Sequence, residues 1–153
     1  MCEELIKLLD AENAHVSWEK AIVDIPVEFI NSRIDNVPYS LWEVFEHTRI
    51  CQLDILDFIV NPDYKYKNWP EDYWAPKEHV ANESDWSETA NGFFRDLNEL
   101  KNIVGDSEVD LTASLEHAPK YTVFREVVLV ADHNAYHLGS FIAIKRGLGL
   151  IAD

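Results

Sequence analysis

The chain has 153 residues, of which 47% are hydrophobic, and this is enough to form one globular domain with a sizeable core. Its 28 acidic residues outnumber its 13 basic residues, which gives a formal net charge of −15. We therefore expect no binding to nucleic acid or to an anionic membrane surface, because so acidic a protein repels phosphate groups.

The cysteine content and the N-terminal residues indicate the cellular compartment of the protein. Two cysteines, Cys2 and Cys51, are too few for a disulfide scaffold and suit a reducing compartment. The first residues lack the basic start and apolar run of a signal peptide, and no stretch has the roughly 18 uninterrupted apolar residues of a membrane span. We expect a cytoplasmic protein with a single domain over residues 1–153.

The spacing of apolar residues predicts a first helix over residues 3–21, which Pro26 ends. Two polar residues on its inner side, Glu12 and His15, could face a central cavity. A solvated helix flank is the more frequent position for such side chains.

A second helix is predicted to begin after Ser40 and to end near Val60. Ser40 and Glu43 have the spacing of a capping box, in which each side chain bonds to the backbone of the other residue. His47 lies on the same helical stripe as Cys51, so we expect its imidazole to face the core.

Residues 61–81 are irregular and rich in aromatic residues and prolines. So many aromatic rings must be buried somewhere, which predicts an ordered loop packed over one end of the helices rather than disorder. We favour a structural role for this loop, although such a loop can also form the wall of a substrate pocket.

Two more helices are predicted, one from Ser84 to Gly105 and one from Thr122 to about Arg146. The polar residues 106–120 form a long connection between them. No strand is predicted. The sequence thus predicts an all-α four-helix bundle with one or two long connections.

The last helix contains two histidines, His133 and His137, at a spacing of four residues. This spacing places both imidazoles on one helical face, and a stacked pair in a core helix is costly unless a ligand uses both rings. The inward-facing His47 adds a third imidazole from another helix. Three protein nitrogens with an open position are typical of a catalytic metal site, so we predict that His47, His133 and His137 bind a divalent metal. Three unrelated core histidines are the alternative.

Metalloproteases of the H-E-x-x-H type have the same ligand spacing, but here Asn134 follows the first histidine. The carboxylate that would act as general base is missing, which disfavours peptidase activity. Asn134 could orient a ligand or form a hydrogen bond to the backbone. Cys51 lies one turn beyond His47 and could be a fourth ligand, although a buried free cysteine is the commoner condition.

Four segments of the chain resemble the DinB-like (DinB/YfiT) superfamily, and the resemblance extends over nearly the whole sequence. They are SLWEVFEH at residues 40–47, DHNAYHLG at 132–139, WPEDYW at 69–74 and RGLG at 146–149. The histidine triad of that family is present here without a substitution.

The resemblance implies a four-helix bundle of up-down-down-up topology with a divalent metal, commonly zinc or nickel, on residues that match His47, His133 and His137. Family members with assigned chemistry are metal-dependent transferases or isomerases that use a low-molecular-weight thiol such as bacillithiol, mycothiol or glutathione. Others are described as metal-dependent hydrolases. Many members are homodimers, and we expect a homodimer here on the resemblance alone.

An open position on such a metal can take a thiol or a water and favour its deprotonated form. Because Glu12 and His15 are the only bases that the first helix offers for hydrolysis, we expect a thiol S-transferase-like enzyme with a small-molecule substrate. Metal-dependent hydrolysis of a small ester, amide or phosphate is one alternative, and a non-catalytic metal- or ligand-binding bundle is another. His15, Trp74 and Arg125 are expected around the mouth of the pocket.

Overall fold

The computed structural model describes residues 1–11 and 14–151, and this part of the chain is mostly helical. Its helices are α1 (Cys2–Asp10), α2 (Trp18–Ala21), α3 (Leu41–Val60), α4 (Glu83–Gly105) and α5 (Val123–Gly147). Two short strands, β1 (Ser114–Leu115) and β2 (Ala118–Thr122), pair antiparallel between α4 and α5. Among the described helices, none combines the length and the apolarity that crossing a membrane requires.

Helix α3 is central to the packing, since it contacts both α4 and α5, while α1 packs against α4 and α5. Two contacts with α3 give the direction of α5: His47 lies beside His137, and the later Gln52 bonds to the earlier Asn134. The two helices are therefore antiparallel. Helix α4 runs parallel to α3, since Trp42 bonds to Thr89 and the later Gln52 bonds to the carbonyl of Phe93.

A cluster of aromatic rings fills the space among these helices. Trp18 stacks on Phe45 at a centroid distance of 5.0 Å, and it also contacts the rings of Phe93 and Phe141. The three phenylalanines are fully buried. Burial of so much aromatic surface is a large stabilising contribution, and the short helix α2 carries the ring that joins α3, α4 and α5.

The predicted first helix is interrupted. Helix α1 ends at Asp10 because Ala11 adopts a left-handed conformation, with φ 59°, and its N–H bonds back to the Leu8 carbonyl. Helix α2 then begins after Ser17, whose hydroxyl accepts a hydrogen bond from the N–H of Lys20. The prediction of one continuous helix was wrong, and Glu12 lies outside the described residues.

Capping chemistry also decides where α3 and α4 begin. Both hydrogen bonds of the capping box between Ser40 and Glu43 are present, as the spacing predicts. Helix α4 begins one residue earlier than predicted, because the Asn82 side chain accepts from two backbone N–H groups and Asp85 bonds back to Asn82. The structure adds the strands β1 and β2, which are too short to show a periodic pattern in the sequence.

Candidate metal centre

Three histidine side chains from α3 and α5 converge, and each offers one ring nitrogen within 4.8 Å of the others. His47 comes from α3, while His133 and His137 come from successive turns of α5. The Nε2 atoms of His47 and His137 are 3.2 Å apart. These are the three residues that the sequence predicted as metal ligands.

A backbone carbonyl sets the tautomer of His47. Its Nδ1 lies 2.7 Å from the carbonyl oxygen of Tyr73, and a carbonyl oxygen can only accept a hydrogen bond. Nδ1 therefore carries the proton, which leaves the Nε2 lone pair directed toward His137. A metal-binding imidazole usually has this arrangement, with one nitrogen donating to a carbonyl and the other free to bind.

Burial keeps the three imidazoles neutral. It lowers the pKa of His133 to about 4 and the pKa of His137 to about 3, and the neighbouring imidazoles add to both shifts. Burial also lowers the pKa of His47, although its hydrogen bond to Tyr73 opposes the change. Neutral imidazole is the form that binds a metal, so protons compete weakly for this site at neutral pH.

The donor set fits a divalent metal ion. Two nitrogens of one tetrahedral zinc, at bond lengths of about 2.0–2.1 Å, lie about 3.4 Å apart, close to the 3.2 Å between His47 and His137. The buried Nδ1 of His133 has no hydrogen-bond partner among the described residues, which is unusual for a polar atom in a protein interior. Three neutral imidazoles this close together suit one shared divalent ion. Imidazole suits both zinc and nickel.

Cys51 lies beside the triad without joining it. Its Sγ is 3.6 Å from Nδ1 of His47 and 3.7 Å from Nε2, so it contacts the ring without approaching one nitrogen in preference to the other. Burial and the nearby Asp54 raise the pKa of the Cys51 thiol to about 12. Among the described residues, the cluster that could hold a metal contains His47, His133 and His137 and not Cys51.

The triad lines an open cavity of about 720 Å³. Trp74 forms one wall, with its ring stacked flat on His47 at 3.9 Å and on Tyr39 at 4.3 Å. Two exposed aromatic residues also line it, Trp69 and Tyr136. Its other side chains are Val44, Pro70, Leu129, Asp132 and Ser140. The cavity therefore combines apolar walls with a few polar groups beside the three nitrogens.

The other predicted pocket residues lie elsewhere. Among the described residues, the cavity lining includes Trp74 but neither His15 nor Arg125. His15 is exposed and bonds to the carbonyl of its neighbour Val16. Arg125 bonds to Glu126 and lies over the ring of Tyr121. An exposed polar side chain near a helix end carries no periodic signal for its direction, so the sequence alone does not tell which cavity such a residue lines.

The sequence analysis missed a buried carboxylate near the triad, that of Asp54. Asp54, on α3, is 8% exposed and accepts hydrogen bonds from the phenols of Tyr64 and Tyr73. Burial and the bond to Asp54 raise the pKa of Tyr73 to about 12, so this phenol remains a donor at neutral pH. Asp54 lies two turns beyond His47, where helical spacing alone would have grouped the two residues on one face.

Comparison with protein-family models, with curated proteins and with solved structures finds no match to this chain. The function must therefore be argued from the site itself.

Proposed function

We propose that the chain is a metal-dependent enzyme with a divalent metal on His47, His133 and His137, and that it joins a low-molecular-weight thiol to a small electrophile. The thiol loses its proton, its sulfur bonds to an electrophilic carbon, and that carbon releases its leaving group. One observation carries this proposal: three neutral imidazoles from two helices converge in the wall of an open cavity. Structural zinc sites are normally closed by four protein ligands, whereas catalytic sites have three and an open position.

The proposal includes the finer features that the sequence suggests. They are an up-down-down-up four-helix bundle of the DinB-like type, zinc or nickel as the metal, a homodimer and a cytoplasmic location. The parallel pair α3 and α4, with α5 antiparallel to α3, supports the bundle topology. The donor chemistry supports the metal.

When bound, a divalent metal lowers the pKa of a thiol or a water at its open position. The protein supplies the surroundings. Tyr73 fixes the direction of the His47 lone pair, and Trp74 covers one face of that ring. Trp69 and Tyr136 add aromatic surface on which the apolar part of a substrate can pack.

Room for a larger substrate adjoins this cavity. A groove of about 840 Å³ shares Tyr39, Pro70 and Trp74 with it, so the two spaces adjoin at these side chains. Arg33 and Lys77 line the groove together with Glu43 and Glu71, and Arg33 forms an ion pair with Glu43 at 2.6 Å, so the groove presents charges of both signs. The dimensions suit a thiol with a polar tail better than a minimal thiol.

Thiol consumption by the metal-loaded protein tests this function. We expect it to consume a thiol such as glutathione with a model electrophile faster than His47→Ala, which lacks one ligand. His15→Ala is the matched control, since it removes an exposed histidine outside the cavity. If no low-molecular-weight thiol reacts faster with the wild type than with His47→Ala, the transferase proposal is wrong.

Metal-dependent hydrolysis is the second candidate, because the carboxylate of Asp132 lines the same cavity and could accept a proton from water. Chromogenic esters, amides and phosphates separate the two. Hydrolysis predicts turnover without thiol that a chelator and Asp132→Asn both abolish.

A non-catalytic metal-binding bundle predicts a large loss of melting temperature on metal removal. It also predicts no turnover in the thiol assay or with the chromogenic substrates.

A further inference from the structure

Two hydrogen bonds connect the buried carboxylate of Asp54 with the imidazole of His47 through a single residue. The phenol of Tyr73 donates to Asp54 Oδ2 at 2.8 Å, and the backbone carbonyl of the same tyrosine accepts from His47 Nδ1 at 2.7 Å. The side chain of Tyr73 is thus held by Asp54, and its backbone carbonyl holds His47 on the same helix α3.

Trp74, the next residue, adds a second contact between this segment and His47. Trp74 follows Tyr73 directly and stacks on His47 with an interplanar angle of 4°. A shift of the backbone at residue 73 would therefore move both the hydrogen-bond acceptor and the ring that covers His47. The segment is a short 3-10 turn, Glu71–Tyr73, between long irregular stretches, so its position depends on its side-chain contacts.

We propose that Asp54 is a positioning residue for the metal centre, acting through Tyr73 to hold the His47 imidazole in its metal-binding tautomer and orientation. This inference rests on the proposed metal site and extends it to a residue that touches neither the metal nor the substrate. A partner that fixes the orientation of a metal-binding histidine typically changes metal affinity by about 10–100-fold when it is lost.

The chain offers a matched pair of variants. Tyr64 and Tyr73 both donate to Asp54, but the carbonyl that holds His47 belongs to Tyr73. Tyr73→Phe and Tyr64→Phe each remove one hydroxyl from the same carboxylate. The proposal predicts that Tyr73→Phe weakens Co²⁺ binding by about tenfold and alters the visible spectrum of the Co²⁺ protein, whereas Tyr64→Phe changes the affinity by less than about threefold.

The route through Tyr73 has its own test. Asp54→Ala, which has no acceptor for the phenol, should also weaken Co²⁺ binding, and adding it to Tyr73→Phe should cause little further loss, because both changes remove the hydrogen bond between residues 54 and 73. Fully additive losses would show that Asp54 does not act through Tyr73. Equal losses in Tyr64→Phe and Tyr73→Phe would show that the carboxylate only stabilises the loop, and either result overturns the inference.

A measurement without metal separates this inference from the proposed function. In the metal-free wild type, NMR of labelled histidine should show a protected Nδ1–H proton of His47, assigned by its absence in His47→Ala. Tyr73→Phe should lose that protection and Tyr64→Phe should retain it. If the wild type binds no Co²⁺, the metal site fails while this comparison still decides the inference. A protected Nδ1–H in Tyr73→Phe would contradict it.

Discussion

The side-chain amide of Asn134 donates to Oε1 of Gln52 at 2.8 Å, deep between α5 and α3. Gln52 in turn donates to the carbonyl of Phe93 on α4, so three helices are joined by one chain of amides. Asn134 occupies the position that a glutamate has in the H-E-x-x-H motif, yet it is directed into the core between the helices. Its side-chain N–H group thus holds the helices together, while its Oδ1 is buried without a hydrogen-bond partner among the described residues.

Replacement of Asn134 should therefore reduce stability without loss of metal. Asn134→Leu has a similar volume but leaves the buried Gln52 Oε1 without its donor, and an unsatisfied buried acceptor costs about 1–3 kcal/mol. We expect that loss in the free energy of unfolding, measured in urea, with an unchanged metal content. Loss of metal at unchanged stability would mean that Asn134 serves a bound ligand instead.

Restoring the metalloprotease motif should give no peptidase. In Asn134→Glu the new carboxylate would lie against the Oε1 acceptor of Gln52, where a buried charge without a partner is strongly unfavourable. We expect an unstable protein with no hydrolysis of casein or of short peptides. A stable variant that cleaves peptides would show that residue 134 can face the cavity.

The metal-free protein should lose stability on mild acidification. The pKa values of His133 and His137 are lowered in the folded state to about 4 and about 3, while unfolded histidine titrates near 6.5. Below pH 6.5 the unfolded state therefore binds more protons than the folded state. The stabilising contribution of the two histidines is complete above pH 6.5 and is lost as the pH falls toward their pKa values in the folded state. Each histidine contributes a slope of at most about 1.4 kcal/mol per pH unit.

Urea unfolding of the chelator-treated protein between pH 7.5 and pH 5, above the range where most carboxyl groups titrate, measures this slope. The double variant His133→Gln/His137→Gln should have a flatter profile than the wild type, because glutamine does not titrate. Equal slopes for the two proteins would contradict the account of the buried neutral imidazoles.

Trp74 should report metal binding through its fluorescence. Its ring lies flat on His47, so a quenching ion such as Cu²⁺ held by that histidine would be close to the indole. We expect Cu²⁺ to quench the wild type and to quench Trp74→Phe much less. Trp42→Phe is the control, since Trp42 bonds to Thr89 on α4 and packs against His79. Equal quenching in all three proteins would mean that the ion binds elsewhere.

Local patterns in the sequence predicted the parts of the site that local geometry decides. The pair His133 and His137 is one helical turn apart, and the box of Ser40 and Glu43 lies within the first turn of α3. Each follows from helical spacing alone, and so does the inward direction of His47, which is 2% exposed.

Contacts between distant backbone atoms could not be predicted in this way. The carbonyl of Tyr73 lies 26 residues from His47 in sequence. Because every residue has a backbone carbonyl, the residue type does not show which carbonyl accepts a hydrogen bond from His47. The break at Ala11 is equally hidden, since alanine is the best helix former and its left-handed conformation depends on the surrounding fold. The expectation that His15 and Arg125 surround the pocket mouth came from position alone, and neither residue is in the lining of the cavity beside the triad.

Elemental analysis of the untagged protein tests the central claim most directly. We predict about one divalent metal ion per chain in the wild type, as purified or after incubation with zinc or nickel, and the same content in His15→Ala. His47→Ala should lose it, because α3 supplies the third nitrogen. A wild type that neither carries metal nor takes up either ion would contradict the account, and so would a His47→Ala variant that retains the full metal content.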